Sequence, residues 1–295
     1  MKLIARVQSI NRVSLVDRIR QTVVRHVMKR AITRSRARAE KIGLEVKILN
    51  GEVDPKTINL FRKLAKEAGP DLCFDVDLPF SEQGFKDWIE EVRVGDRIVA
   101  VAILNDQIVG TLAAVRGGLS CLPIKEDRTL SHTIQTIRGY DLTAGYVSPE
   151  HRVQGLTGRL MGVELLNAAL ESKTPEEYVY ASVSTGHYEE TNKILARLFG
   201  WSLADVEAKS GTVEFFKMFE GLDGARLTPE EVQTVQEVIR LGINPESAAI
   251  DVILNGVVLA GGGRRLGYSI DGTEPATVIY EREFLAFYNA LPRVK

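Results

Sequence analysis

Apolar and polar positions along the chain alternate with a period that switches between two and three to four residues, and each switch marks an element. LEVKIL (44–49) alternates as a short half-buried strand. Asp54 then fits an N-cap and Pro55 the first helical position, with Ile58, Phe61, Leu64 and Ala65 on one apolar face until Gly69-Pro70 ends the helix. Ser81 caps a second helix carrying Phe85, Trp88 and Ile89. IVAVAIL (98–104) and IVGTLAAV (108–115) flank the polar turn Asn105-Asp106-Gln107 and read as an antiparallel hairpin. The stretch 116–138 reads as a polar insertion beside a binding site. Strand 140–148 follows, then helix 155–171 with Leu156, Leu160, Val163, Leu166 and Leu170 apolar, strand YVYASVS (178–184), helix 189–199 and a hairpin around 201–218.

Beyond residue 219, Thr228-Pro229-Glu230-Glu231 is a capping box, and Val232, Val235, Val238 and Ile239 give the helix behind it an apolar face before Gly242. Strands near 250–260 and 276–281 and a final helix 281–291 complete a tail with enough apolar content to pack. Gly261-Gly262-Gly263-Arg264-Arg265 reads as a flexible loop, because no helical pattern follows it. The organisation expected is therefore a basic helical arm (1–41), a central α/β domain (42–218) and a C-terminal α+β extension (219–295).

Charge changes the picture at the N-terminus. Residues 1–41 carry twelve basic residues against Asp17 and Glu40, whereas the whole chain sums to -1, so the remainder is acidic. Leu15, Ile19, Val23, Val27 and Ile32 recur at near-helical spacing among the arginines, which predicts a basic amphipathic helix. Its candidate partners are the acidic body of the chain itself, an anionic membrane surface, nucleic acid, or an acidic protein. No apolar run approaches the roughly 20 residues of a membrane span, and the N-terminus lacks the apolar block of a signal peptide, so a cytoplasmic location is expected. Cys73 and Cys121, without a CxxC or a Cys/His cluster, point to reduced structural thiols and to no metal site.

The stretch from Tyr146 to Leu160 carries the chemistry. Tyr146, Val147 and Ser148 end a strand; Arg152, Val153, Gln154 and Gly155 make a tight turn; Leu156, Thr157, Gly158 and Arg159 open an amphipathic helix. A helix N-terminus presents unpaired N–H groups and roughly half a positive charge, which suits a pyrophosphate, and glycine removes the side chain that would block contact. This stretch resembles the acyl-CoA signature of GNAT-superfamily N-acyltransferases, Gln/Arg-x-x-Gly-x-Gly/Ala. Arg152 and Gly155 match, while Thr157 stands where glycine or alanine is usual. The following strand 178–184, the helix 189–199 and its ending Leu198-Phe199-Gly200-Trp201 are similar to the family's, so the resemblance spans about three fifths of the chain.

The resemblance implies an α/β GNAT fold, with a mixed, mostly antiparallel central sheet flanked by helices. It implies acetyl-CoA or another acyl-CoA as acyl donor and a small-molecule amine or amino acid as acceptor. Residues 146–148 and 152–159 would bind the donor, with Val147 and Ser148 beside the thioester. Asp141 falls where histone-acetylating relatives carry a glutamate base; its other reading is a solvated strand-end carboxylate. The tyrosine acid of the family is replaced by Ala196 and its helix asparagine by Glu189, leaving Ser184, His187 and Tyr188 as substitutes. Two alternatives stay open: an N-acyl amino acid synthase-like enzyme fed by long-chain acyl carrier protein through the basic arm, and a CoA-binding module without turnover.

Overall fold

A computed structural model describes residues 15–68, 81–125, 127–152, 155–184, 188–209, 218–241, 256–270 and 273–292. Helix α1 (Leu15–Ile42) leads into strand β1 (Glu45–Leu49) and helices α2 (Pro55–Ala68) and α3 (Glu82–Val94). Asp54 caps α2 by accepting from the Thr57 N–H at 2.8 Å, and Ser81 caps α3 by accepting from the Gly84 N–H at 2.9 Å, as the sequence predicts. Strands β2 (Arg97–Leu104) and β3 (Gln107–Pro123) form the expected hairpin, with Asn105 and Asp106 both at positive φ. Then come β4 (Gln135–Val147), α4 (Leu156–Ser172), β5 (Tyr178–Ser184), α5 (Tyr188–Phe199), α6 (Leu203–Lys209), α7 (Pro229–Leu241), β6 (Arg264–Ser269), β7 (Thr273–Val278) and α8 (Glu281–Asn289).

These strands form one seven-stranded sheet in the order β1-β2-β3-β4-β5-β7-β6. All neighbours are antiparallel except β4 and β5, so the mixed, mostly antiparallel sheet flanked by helices that the sequence implies is present. On one face α1, α4 and α8 pack through Ile32, Ala39, Leu160, Val163 and Phe284 against Ala100, Leu112 and Leu142. On the other, Phe61 of α2 stacks on Trp88 of α3 with ring centroids 4.3 Å apart, above Val99, Val101, Ala113 and Tyr146. A third cluster joins α5, α6 and α7 through Ile194, Val206 and Val235 to Leu122 and Ile270.

The far end of the sheet closes on itself. Cys121, Leu122 and Pro123 of β3 pair with Ser269, Tyr268 and Gly267 of β6, completing a ring β3-β4-β5-β7-β6. Leu119, Cys121, Ile137 and Tyr180 fill it, with Tyr178 and Leu266 at its margin. Burial pushes the Cys121 thiol up to about 12, consistent with a structural role.

Several elements differ from the sequence pattern. The stretch 116–138 is not a polar insertion, since β3 runs on to Pro123 and β4 begins at Gln135, with Leu119 and Cys121 alternating inward. Residues 203–209 are helical where a hairpin was expected, because Ser202 and Asp205 cap each other's N–H groups; 210–217 lie outside the described residues. Residues 256–260 are helical, while 250–255 lie outside the description. Gly261 and Gly262 form a packed turn, since a Cβ at Gly261 would sit 2.6 Å from Phe284 Cδ2 and Gly262 has φ +97°.

Candidate functional site

Strands β4 and β5 pair in parallel over three residues only, Gly139–Asp141 with Tyr178–Tyr180. Glycine is required where they meet, because Gly139 has φ +146° and a Cβ there would overlap the Tyr178 carbonyl. Past Asp141, β4 stays with β3 and β5 with β7, so among the described residues the two strands part. A bulge accompanies the parting: Thr111 faces Tyr146 and Ala113 faces Thr143, so Leu112 opposes both Ala144 and Gly145. An extra residue on one strand bends it and increases local twist, which turns the end of β4 away from β5.

Parted strands expose backbone groups that a continuous sheet would pair. The Ser148 N–H donates to the Val109 carbonyl at 2.9 Å, so the peptide groups of Val147, one residue earlier, point away from β3 and into the gap. Arg152 Nε donates to the Val147 carbonyl at 2.7 Å, and its guanidinium lies 5.9 Å from the Tyr146 ring centroid. Arg152 thus braces the exit of β4.

The gap ends at the start of α4. A 3₁₀ turn, Pro149–His151, follows β4; Gly155 then stands at the helix N-cap with φ 64° and no side-chain cap. The N–H groups of Leu156, Thr157 and Gly158 precede the first intrahelical bond, which the Arg159 N–H makes to the Gly155 carbonyl at 3.1 Å. Val153 and Gln154 lie outside the described residues.

Thr157, the departure from the usual small residue, is accommodated from below. It is buried, and its methyl lies against Gly110 of β3, where a Cβ would come within 3.2 Å of both Thr157 Cγ2 and Met161 Cε. Its bulk therefore faces the sheet. Arg159 turns the other way, with Nε donating to Ser35 Oγ of α1 at 3.2 Å, and partial burial lowers its guanidinium pKa.

Asp141 sits at the fork, paired with Val115 and Tyr180 and on the same sheet face as both, with Oδ1 closed off from solvent. Ser184 ends β5 opposite Thr273, and Tyr188 opens α5, so the backbone brings both to the open end of the gap; His187 lies outside the described residues. Ala196 is buried in the α5–α7 cluster and its carbonyl accepts from the Trp201 N–H. Sequence inspection passed over Gly110 and Lys63. A glycine inside the strand IVGTLAAV was a usable signal of close backbone approach. Lys63 had none; it lines a shallow cleft with Glu67 of α2, Ser148 and His151 beside the 3₁₀ turn.

No family model matches the sequence, and no curated protein matches it. Among solved structures, a predicted acetyltransferase from Clostridium acetobutylicum, solved with acetyl-CoA, is similar at 16% identity over 54% of this chain and 90% of its own, with a TM-score of 0.32. A GNAT-family acetyltransferase from Streptococcus pneumoniae is 15% identical over 53% of this chain and 82% of its own, also at 0.32. An aminoglycoside acetyltransferase from a soil metagenomic sample is 16% identical over 48% of this chain and 78% of its own, at 0.28.

Proposed function

We propose that this protein is a GNAT-type N-acyltransferase that takes an acyl group from acyl-CoA and passes it to an amine. The observation that carries this is the forked β4–β5 pair, which opens past Asp141 and Tyr180 and ends at the glycine-started helix α4. An extended chain with two amides and an anionic tail suits such a gap. Its amides run along the edge that β4 leaves unpaired, and its pyrophosphate meets the first N–H groups of α4. Pantetheine diphosphate has that shape and charge.

In this reading the chain's residues act mainly by position. The Val147 N–H faces the thioester carbonyl and stabilises the oxyanion formed when the amine nitrogen attacks it. Asp141 takes the amine proton, directly or through one water, and the C–S bond breaks. Ser184 and Tyr188, at the mouth, return a proton to the departing thiolate.

The test is thermal unfolding with free CoA, acetyl-CoA and palmitoyl-CoA, followed by thiol release with a panel of amines and amino acids. A donor at about 100 times its dissociation constant adds roughly 2.7 kcal/mol of stability. No shift with any thioester would remove the proposal. Preference for palmitoyl-CoA or acyl carrier protein would make the enzyme an N-acyl amino acid synthase rather than an acetyltransferase. The burial of Ala196, where the resembling enzymes carry their acid, favours one second reading, a CoA-binding module without turnover; it predicts a thermal shift with no thiol release.

A further inference from the structure

Most of the charge on helix α1 makes no ion pair with the acidic body among the described residues. The helix docks by an apolar face, with Ile32 and Ala39 buried and Val24 and Met28 packed beside them in the α4–α8 core. Polar pins fix its rotation. Gln21 donates to the Gly263 carbonyl, Arg25 to the Ala260 carbonyl, and Ser35 accepts from Arg159. Arg36 is the one basic residue of α1 in an ion pair among the described residues, with Glu164 at 2.9 Å.

Of the apolar residues that recur along the helix, Ile32 docks and three others face outward. Ile19, Val23 and Val27 are each 57% exposed, and at 100° per residue they lie on the side of the helix opposite Ile32. The same outward side carries Arg20, Arg30, Arg34, Arg38 and Lys41, all exposed and without an ion-pair partner among the described residues. Glu40 is the exposed acid among the described side chains of this helix. From Ile19 to Lys41 this face extends about 33 Å at the helical rise. The pins keep α1 from rolling to bury it.

We infer that the outward face of α1 is a docking surface for an anionic lipid bilayer, with the helix lying in the plane of the interface. Ile19, Val23 and Val27 enter the boundary between headgroups and acyl chains, while the flanking arginines meet lipid phosphates. Charge complementarity excludes a neutral partner. A phosphate backbone would satisfy the arginines and leave three branched aliphatic side chains in water, whereas an anionic bilayer accepts both kinds of group at once. No described helix is long and apolar enough to cross the bilayer, so the contact is with its surface.

The experiment is co-sedimentation of the full-length protein with vesicles of phosphatidylcholine alone and with one third phosphatidylglycerol. Binding is expected to the anionic vesicles only and to weaken as salt is raised. Arg30→Gln with Arg34→Gln should lower the partition coefficient about 25-fold, at about five-fold per cation. Val23→Glu should lower it at least about ten-fold by removing one inserted side chain. Thermal midpoints of these exposed-site variants should match the parent, which separates lost docking from lost folding. Failure to bind anionic vesicles overturns the inference. So does binding that survives Val23→Glu, which would leave charge alone at work, or selective capture of an acidic carrier protein or duplex RNA with no vesicle binding.

Discussion

Adding one methyl group at Gly110 tests the placement of the α4 N-terminus. A Cβ there would lie 3.2 Å from Thr157 Cγ2, from Met161 Cε and from the Tyr146 carbonyl oxygen. The carbonyl belongs to β4 and cannot swing aside. Met161 is flexible and can yield, but Thr157 is β-branched, buried and stiff at χ1. The strain is relieved chiefly by lifting the first turn of α4 off the sheet, and that turn carries the N–H groups assigned to pyrophosphate. Overpacking of this kind costs about 1–3 kcal/mol. Gly110→Ala should therefore lower stability in urea by about 1–2 kcal/mol and weaken CoA binding about ten-fold by calorimetry. Thr157→Ala removes the methyl that the new Cβ would strike. In that background the penalty of Gly110→Ala should shrink by about 1 kcal/mol, a coupling that a double-mutant cycle reads directly. Additive losses would show that the Gly110–Thr157 contact does not set the height of the helix. Unchanged CoA affinity in a destabilised Gly110→Ala protein would refute the phosphate seat itself.

Asp141→Asn should lower kcat at least about 100-fold and leave the CoA dissociation constant unchanged; turnover near the parent rate would dismiss Asp141 as the base. Tyr288 donates to Glu164 at 2.7 Å, and burial followed by that bond pushes its phenol up to about 12. A group raised in the folded state stabilises below its unfolded value and loses that contribution as pH climbs through the folded one. Stability should accordingly fall more steeply from pH 10 to 12 in the parent than in Tyr288→Phe, and equal slopes in alkaline urea titrations would contradict this. Gly139→Ala and Gly267→Ala should each lose about 3 kcal/mol or more, because a Cβ at either would overlap a carbonyl of the neighbouring strand, Tyr178 or Leu122. A urea-measured loss below about 1 kcal/mol would mean that the strands do not cross so closely.

What the sequence made legible was local. Helices α2 and α3 announced themselves through Asp54-Pro55 and Ser81, whose side chains close the first turn within three residues. The β2–β3 turn did so through Asn105-Asp106, residue types that tolerate positive φ. The turn into α4 was readable for the same reason, since Gly155 is needed in the left-handed region where it stands. The apolar stripe read in helix α1 mixes two sides, because Ile32 docks while Ile19, Val23 and Val27 face outward, and the buried side is marked in part by small Ala39 and Ser35. Periodicity reports which positions are apolar; which of two stripes is covered depends on the surface that α4 and α8 present.

The closure of the ring was illegible for a related reason. Gly117-Gly118 and the polar stretch after them looked like loop, yet Gly117 pairs with Gly139 and Gly118 with Arg138 in the middle of a long hairpin. That hairpin has to curl far enough to bring Cys121 beside Ser269, nearly 150 residues further on. Two of the places where the curl brings backbones together, β4 on β5 and β3 on β6, carry Gly139 and Gly267, the residues whose Cβ would collide. The first of these meetings is also where the fork begins. Since β5 is held to β7 and β7 to β6, closing the ring at β3 fixes one arm of the fork, while the bulge at Ala144-Gly145 turns the other away. The site is thus a product of long-range pairing in which tail strands β6 and β7 take part. A protein shortened before β6 should keep the α4 turn in its sequence, lose the gap proposed to seat the donor, and show no thermal shift with CoA.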